Sequence, residues 1–199
     1  TYRITDDCNN STDVYQTITV NDTENPLISA PDDAALEGCG MEAVTGLVYS
    51  ESVVTITLLQ LTTAGGTASD NCGIQNITYV DTQTGSCPIE VTRTFTVTDL
   101  CGNTESDQQT ITIDDLTPPT ATCQNLIIIL DEFTGTASIT AAMIDDGSFD
   151  NCGGIDTIYL SQYDFNSDHV GDNTVTLYVR DDCGNTGTCD ANVEVRYFI

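Results

Sequence analysis

The feature that most constrains this chain is an internal repeat marked by cysteine. With Cys8 laid on Cys101, a shift of 93 residues (101 − 8), the sequence matches itself without a gap from Thr1 to Pro26. Asp6 falls on Asp99, Asn10 on Asn103, Thr17-Ile18-Thr19-Val20 on Thr110-Ile111-Thr112-Ile113, Asp22 on Asp115 and Pro26 on Pro119. A second shift of 82 (183 − 101) lays Asp99 on Asp181, Gly102-Asn103 on Gly184-Asn185, and Ile111 and Ile113 on Val193 and Val195. A further landmark, Asp70-Asn71-Cys72-Gly73, returns as Asp150-Asn151-Cys152-Gly153. Periodicity on this scale marks tandem modules.

The repeat divides the chain. Residues 1–25 read as the last hairpin of an incomplete module, 26–118 as a full module and 119–199 as another. The linkers Asn21-Asp22-Thr23-Glu24-Asn25-Pro26 and Asp114-Asp115-Leu116-Thr117-Pro118-Pro119 are acidic and end in proline, which stiffens a chain and cannot continue a ladder. Strands are expected at 53–61, 74–80, 91–98 and 109–113, then at 126–130, 137–140, 155–160, 174–180 and 191–196, with one helical turn at 141–144. Short strands at this spacing predict an all-β fold of tandem immunoglobulin-like β-sandwich modules stabilised by disulfides; Greek-key barrels rank second. Along the hairpins, Phe95, Val97 and Cys101, Val175, Leu177, Val179 and Cys183, and Tyr2, Ile4 and Cys8 each share one parity. A period of two would turn each set, cysteine included, toward the core, with the threonines outward.

Composition narrows function. Against 31 acidic residues stand four basic ones, for a net charge of −27. Such a surface repels nucleic acid and anionic lipid and attracts cations. Nine cysteines without a CxxC pair imply disulfides in an oxidising compartment, and a window cut from a longer exported chain. No enzyme is expected. His169 lies in a polar turn without a partnered nucleophile, lysine is absent, and Gly65-Gly66 lacks the lysine of a phosphate loop. Paired carboxylates of a glycosidase would want an aromatic cleft, but the chain has no tryptophan. Sequons at Asn9, Asn10, Asn21 and Asn76 are what chance supplies in a Thr/Asn-rich sequence.

The repeat also predicts a disulfide scheme. Shared landmarks pair Cys72 with Cys101 and Cys152 with Cys183. The remainder pair as Cys39–Cys87 and Cys123–Cys189, and the partner of Cys8 would lie ahead of Thr1. Closing Cys72–Cys101 and Cys152–Cys183 would gather carboxylates at one end of each module: Asp70 with Asp99, and Asp150 with Asp181 beside Asp145, Asp146 and Asp182. Asp114 and Asp115 could join a site at the junction. Oxygen-rich clusters between extracellular modules suit structural calcium, which takes six to eight oxygens. Against this stands the ordinary role of Asp and Asn as turn formers on a solvated surface.

The run from Thr136 to Ser148, with Asp150-Asn151-Cys152-Gly153 and Val170-Gly171-Asp172-Asn173-Thr174-Val175-Thr176-Leu177, resembles repeats of the giant surface adhesins of Bacteroidetes, including the SprB-type gliding-motility adhesins. The stretch Arg93-Thr94-Phe95-Thr96-Val97-Thr98-Asp99-Leu100-Cys101-Gly102-Asn103 is similar to hyalin-repeat (HYR-like) modules. Asp156-Thr157-Ile158 resembles Bacteroidetes O-glycosylation sites. The resemblance implies an Ig-like fold, type IX secretion and display on the bacterial cell surface in an outer-membrane-attached filament. Family repeats often place a cysteine where Ser167 stands and none at Cys183, which implies that the partner of Cys152 has moved to Cys183. The function expected is a rigid stalk segment of a long adhesin serving cell adhesion and gliding motility. Its partners would be neighbouring modules, surface polysaccharide or other cells, and motility or secretion machinery. The alternatives are modules that themselves grip a polysaccharide or receptor, or accessory modules of a secreted enzyme.

Overall fold

The computed structural model describes residues 1–197. Strands β1 (Tyr2–Thr5) and β2 (Ser11–Val14) form a lone antiparallel hairpin whose Tyr2 and Ile4 are exposed. Next come β3 (Leu27–Ser29), β4 (Ala34–Glu37), β5 (Val54–Ile56), β6 (Thr67–Ser69), β7 (Ile74–Gly85), β8 (Ile89–Asp99) and β9 (Thr104–Asp114). They make a five-stranded sheet in the order β4-β9-β8-β7-β5 and a two-stranded sheet, β3-β6. Strands β10 (Leu126–Ile129), β11 (Ala137–Ser138), β12 (Ile155–Leu160), β13 (Asp164–Phe165), β14 (Gly171–Asp181) and β15 (Thr186–Arg196) repeat the plan as β10-β15-β14-β12 and β11-β13.

Both units share one peculiarity. The first strand of the large sheet runs parallel to the last, Ala34 opposite Ile111 and Leu126 opposite Val193, and the last-strand partners Ile111 and Val193 are equivalent by the 82-residue shift. The large sheets are open, so these are β-sandwiches and not closed barrels.

Alternation builds the cores. Val175, Leu177, Val179, Val193 and Val195 are all buried in the second unit, with Leu160, Ile144 and Phe165 closing over them. In the first unit the inward positions of β8 read Val91, Arg93, Phe95, Val97 and Asp99. Arg93 therefore divides two apolar clusters, one around Val91, Val44, Ile111 and Ile113 and one around Phe95, Val97, Tyr79 and Leu61. Its guanidinium meets the buried Asp81 carboxylate at 2.7 and 2.8 Å, donates to the Val48 carbonyl at 3.2 Å and lies 4.4 Å from the centre of the Tyr79 ring. A cavity of about 520 Å³ opens beside it, walled by Leu36, Val44, Leu47, Leu59 and Ile111.

One expected strand is corrected. The run 53–61 is strand only to Ile56, after which helix α1 (Leu58–Thr63) begins. Thr57 Oγ1 accepts from Gln60 N at 3.2 Å, and Gln60 Oε1 accepts from Thr57 N at 2.9 Å. This reciprocal cap starts a helix that leucine and glutamine then favour, and it buries Leu61. The helical turn expected at 141–144 is present as α2 (Ala141–Ile144).

The cysteine of each hairpin does not point into the core. The strand ends two residues before the cysteine, so Asp99 and Asp181 take the last inward place while Cys101 is exposed and Cys183 half-buried in the turn. Asp99 Oδ1 accepts from the N–H groups of Cys101 and Asn103, both at 2.8 Å, and Asn103 Nδ2 donates to Oδ2 at 2.7 Å. Asp6 with Asn10 and Asp181 with Asn185 repeat the side-chain clasp. The fourth turn residue is left-handed in all three copies, at φ 63° in Asn9 and 93° in Gly102 and Gly184. A Cβ at Gly102 would meet nothing within 4 Å. Gly102→Ala is therefore expected to cost about 1 kcal/mol from backbone strain alone, and Gly102→Asn much less. Paired urea-denaturation curves would measure the difference.

Candidate metal centres at the module junctions

At the lower end of the first sandwich the chain leaves β9 at Asp114, passes through Asp115 and buries Pro119 against the second sandwich. The Asp115 carboxylate meets those of Asp150, in the loop before β12, and Asp181, at the end of β14. One ligand atom from each lies within 4.8 Å of the others. The same trio occurs at the upper end of the first sandwich: Asp22 from the incoming linker, Asp70 before β7 and Asp99 at the end of β8. The two clusters are related by the sequence repeat.

The hydrogen bonding is also repeated. Asp115 Oδ1 accepts from Thr117 N, and Asp22 Oδ1 from Glu24 N, both at 3.1 Å. Asp150 accepts from Cys152 N at 2.8 Å, and Asp70 from Cys72 N at 2.7 Å. Asn185 Nδ2 donates to the Asp115 carbonyl at 2.8 Å, and Asn103 Nδ2 reaches the Asp22 carbonyl at 3.3 Å. Each linker aspartate thus spends one oxygen on its own turn, and the turn asparagine clasps its backbone.

What remains is unsatisfied charge. Asp115 Oδ2 and Asp150 Oδ1 are buried with no hydrogen-bond partner among the described residues, and Asp115 and Asp181 are only 4% and 2% exposed. These carboxylates close turns, but Asp115 and Asp181 do so out of contact with solvent. At a separation of 4.8 Å, two carboxylates repel by roughly 3 kcal/mol at an effective dielectric of about 20. A cation in the cradle would reverse the sign of that interaction.

In the upper cluster Asp22 Oδ2 is likewise buried without a hydrogen bond of good geometry. The Cys72 thiol lies against this carboxylate and its proton is drawn toward it, which holds Asp22 below the usual carboxylate range and pushes Cys72 up to about 12. Burial works against the Asp99 charge. The Asn103 side chain and the backbone N–H groups of Asn103, Cys101 and Gly102 outweigh it, so Asp99 is held low and ionised.

Of the six expected metal ligands, Asp70 and Asp99 come together, as do Asp115, Asp150 and Asp181. Asp114 does not join them; it lies beside the Cys87–Cys183 bridge. Asp145 is occupied by Ser148, whose N–H it accepts at 3.0 Å. Asp22 was missed, as were the clasps Asn103 and Asn185. The shift that laid Asp22 on Asp115 was the signal that could have found it.

The disulfides correct the expected pairing. Cys123–Cys189 is present, tying the chain ahead of β10 to β15. Cys39 bonds Cys152 rather than Cys87, and Cys87 bonds Cys183, so neither Cys39–Cys87 nor Cys152–Cys183 is formed. Both bridges cross the junction and close around a cavity that Asp115 also lines. The partner of Cys152 has therefore not moved to Cys183. Cys72 and Cys101 are free thiols, as is Cys8, and the Cys72–Cys101 bridge is not formed. The physical reason is position: Cys39 follows β4 and Cys87 sits in the β7–β8 turn, both at the end that abuts the second sandwich.

No protein-family model and no curated protein matches this sequence. Among solved structures the chain is similar to human mucin-like protocadherin EC1-2, at 12% identity over 86% of this chain and 99% of that one, with a TM-score of 0.34. It is also similar to the N-terminal Ig1-2 module of the Drosophila receptor protein tyrosine phosphatase DLAR, at 13% identity over 87% of this chain and 100% of that one, with a TM-score of 0.25.

Proposed function

We propose that the chain is a rigid stalk segment of a long extracellular bacterial surface adhesin, with calcium holding successive sandwiches at fixed angles. The observation that carries this is the repeated cradle: Asp22, Asp70 and Asp99 at one junction, and Asp115, Asp150 and Asp181 at the next. Each cradle draws one carboxylate from the linker and two from the module that follows. A cation bound there ties the linker to the module, which is where stiffness is set. Calcium is the favoured ion because the donors are hard carboxylate oxygens, with linker carbonyls and water able to complete its coordination. A net charge of −27 raises the local cation concentration further. The disulfides suit an oxidising compartment. Cell-surface display, type IX export and a part in gliding motility belong to the same proposal and draw on the resemblance of the repeats.

Direct glycan binding is the second reading, favoured by one feature. Tyr159 and Tyr178 stack at 4.8 Å across β12 and β14. Each ring covers the other, which leaves less free aromatic face than a sugar platform requires.

Calorimetric titration of the chelated chain tests the calcium reading. Two calcium ions are expected to bind, and Asp115→Asn should abolish one of them. At free calcium a hundredfold above Kd, binding adds about 2.7 kcal/mol, read as a rise in Tm. Small-angle scattering should show a narrower range of interdomain angles with calcium than with chelator. Absence of both heat and Tm shift in millimolar calcium would sink the calcium reading. Binding of the 1–199 chain to a glycan array would replace the stalk with the grip.

A further inference from the structure

Cys72 and Cys152 hold the same place in the repeated Asp-Asn-Cys-Gly loop, and Cys101 and Cys183 the same place in the repeated hairpin turn. At the upper end of the second sandwich both places are bonded to the module ahead, Cys152 to Cys39 and Cys183 to Cys87. At the upper end of the first sandwich the same two places carry free thiols, and their sulfurs lie within 4.8 Å of each other and of an Asp22 oxygen. The incoming linker docks there as the later one does, with Asp22 in the carboxylate trio and its carbonyl facing Asn103. The thiols are therefore where the lower end of a preceding module would arrive.

We propose that Cys72 and Cys101 are the receiving half of a second two-disulfide clamp. Cys72 bonds a cysteine at the Cys39 position, and Cys101 one at the Cys87 position, of the module whose last hairpin is β1–β2. The proposal rests on reading the chain as part of a tandem array. Each bond forms when two thiols give up two protons and two electrons to a disulfide-bearing oxidant, a thiol–disulfide exchange protein, which leaves as its dithiol. The new S–S bond replaces two S–H bonds, and nothing else is consumed.

The clamp carries tension. With two cystines across a junction, force bypasses the linker and reaches the next sandwich through covalent bonds. It is also selective. The bond from Gly38 N to the Asp114 carbonyl corresponds to that from Leu130 N to the Arg196 carbonyl, so Asp131 stands where Cys39 does. The pairs Ile89 with Ile113 and Gly171 with Val195 correspond likewise, which places His169 at the position of Cys87. The lower end of the second sandwich therefore offers no clamp, so the residues at these two positions decide whether a junction is locked.

Peptide mapping of the full-length chain from its natural source, alkylated in acid without reduction, tests this. The expected result is two cross-linked peptide pairs, joining Cys72 and Cys101 each to a cysteine ahead of residue 1. A Cys72–Cys101 cross-link, or an alkylated thiol at either position, overturns the clamp while leaving the calcium titration untouched. A full-length chain with no module ahead of residue 1 overturns the clamp and the array together.

Discussion

Arg93→Met is expected to destabilise the first sandwich by about 3–5 kcal/mol, because it strands a buried carboxylate. Asp81 is 1% exposed and Arg93 3%, so water cannot take over when the partner is lost. The Asp81 carboxylate would keep only the Ser50 N–H, at 2.9 Å, while the Val48 carbonyl would still accept from Tyr79 Oη at 2.7 Å. The companion double variant, Arg93→Met with Asp81→Asn, removes both charges and should recover most of the loss. A double-mutant cycle by urea denaturation gives the coupling, which should be large where the pair is buried and near zero for the exposed Arg3–Asp13 pair. If both pairs gave the same small coupling, Arg93 would be solvated in the 520 Å³ cavity and not locked to Asp81.

The second large effect belongs to Cys123–Cys189, the bridge that stays inside one sandwich. It closes a separation of 66 residues. In the chain-entropy picture that constraint is worth about 4 kcal/mol. For a module of this size, such a loss lowers Tm by roughly 15–30 °C. Cys123→Ser with Cys189→Ser should therefore melt the second sandwich early and leave the first nearly unchanged. Cys39→Ser with Cys87→Ser should do something different, widening the spread of interdomain angles in solution with little change in either module's own melting. Differential scanning calorimetry separates the two outcomes, since the first shifts one transition and the second uncouples two. An equal shift of both transitions by the Cys123/Cys189 pair would mean that the sandwiches unfold as one unit.

Much was legible in the sequence because it is periodic. Alternation placed Phe95, Val97, Val175, Leu177 and Val179 inward, and each is buried. The repeat identified the hairpin turn, and its Asp and Asn do the same work in all three copies. Local capping defeated the strand reading at 58–61, where Thr57 and Gln60 outweigh a short apolar run that alternation cannot distinguish from a strand. Arg93 was invisible for the converse reason. It occupies an inward position by parity, but only the nearness of Asp81 on the next strand makes that position tolerable.

The sequence alone determined which positions are equivalent: Cys72 with Cys152, Cys101 with Cys183, Asp22 with Asp115. Equivalence says nothing about proximity. Treating each module as closed made Cys39–Cys87 and Cys152–Cys183 the natural pairs, and only the stacking of one sandwich on the next brought Cys39 to Cys152 and Cys87 to Cys183. The same stacking carried Asp115 into the carboxylates of the following module. A repeat fixes the parts because side-chain chemistry recurs with the chain. The joints belong to the tertiary structure, because what meets across them is set by where two folded surfaces come to rest.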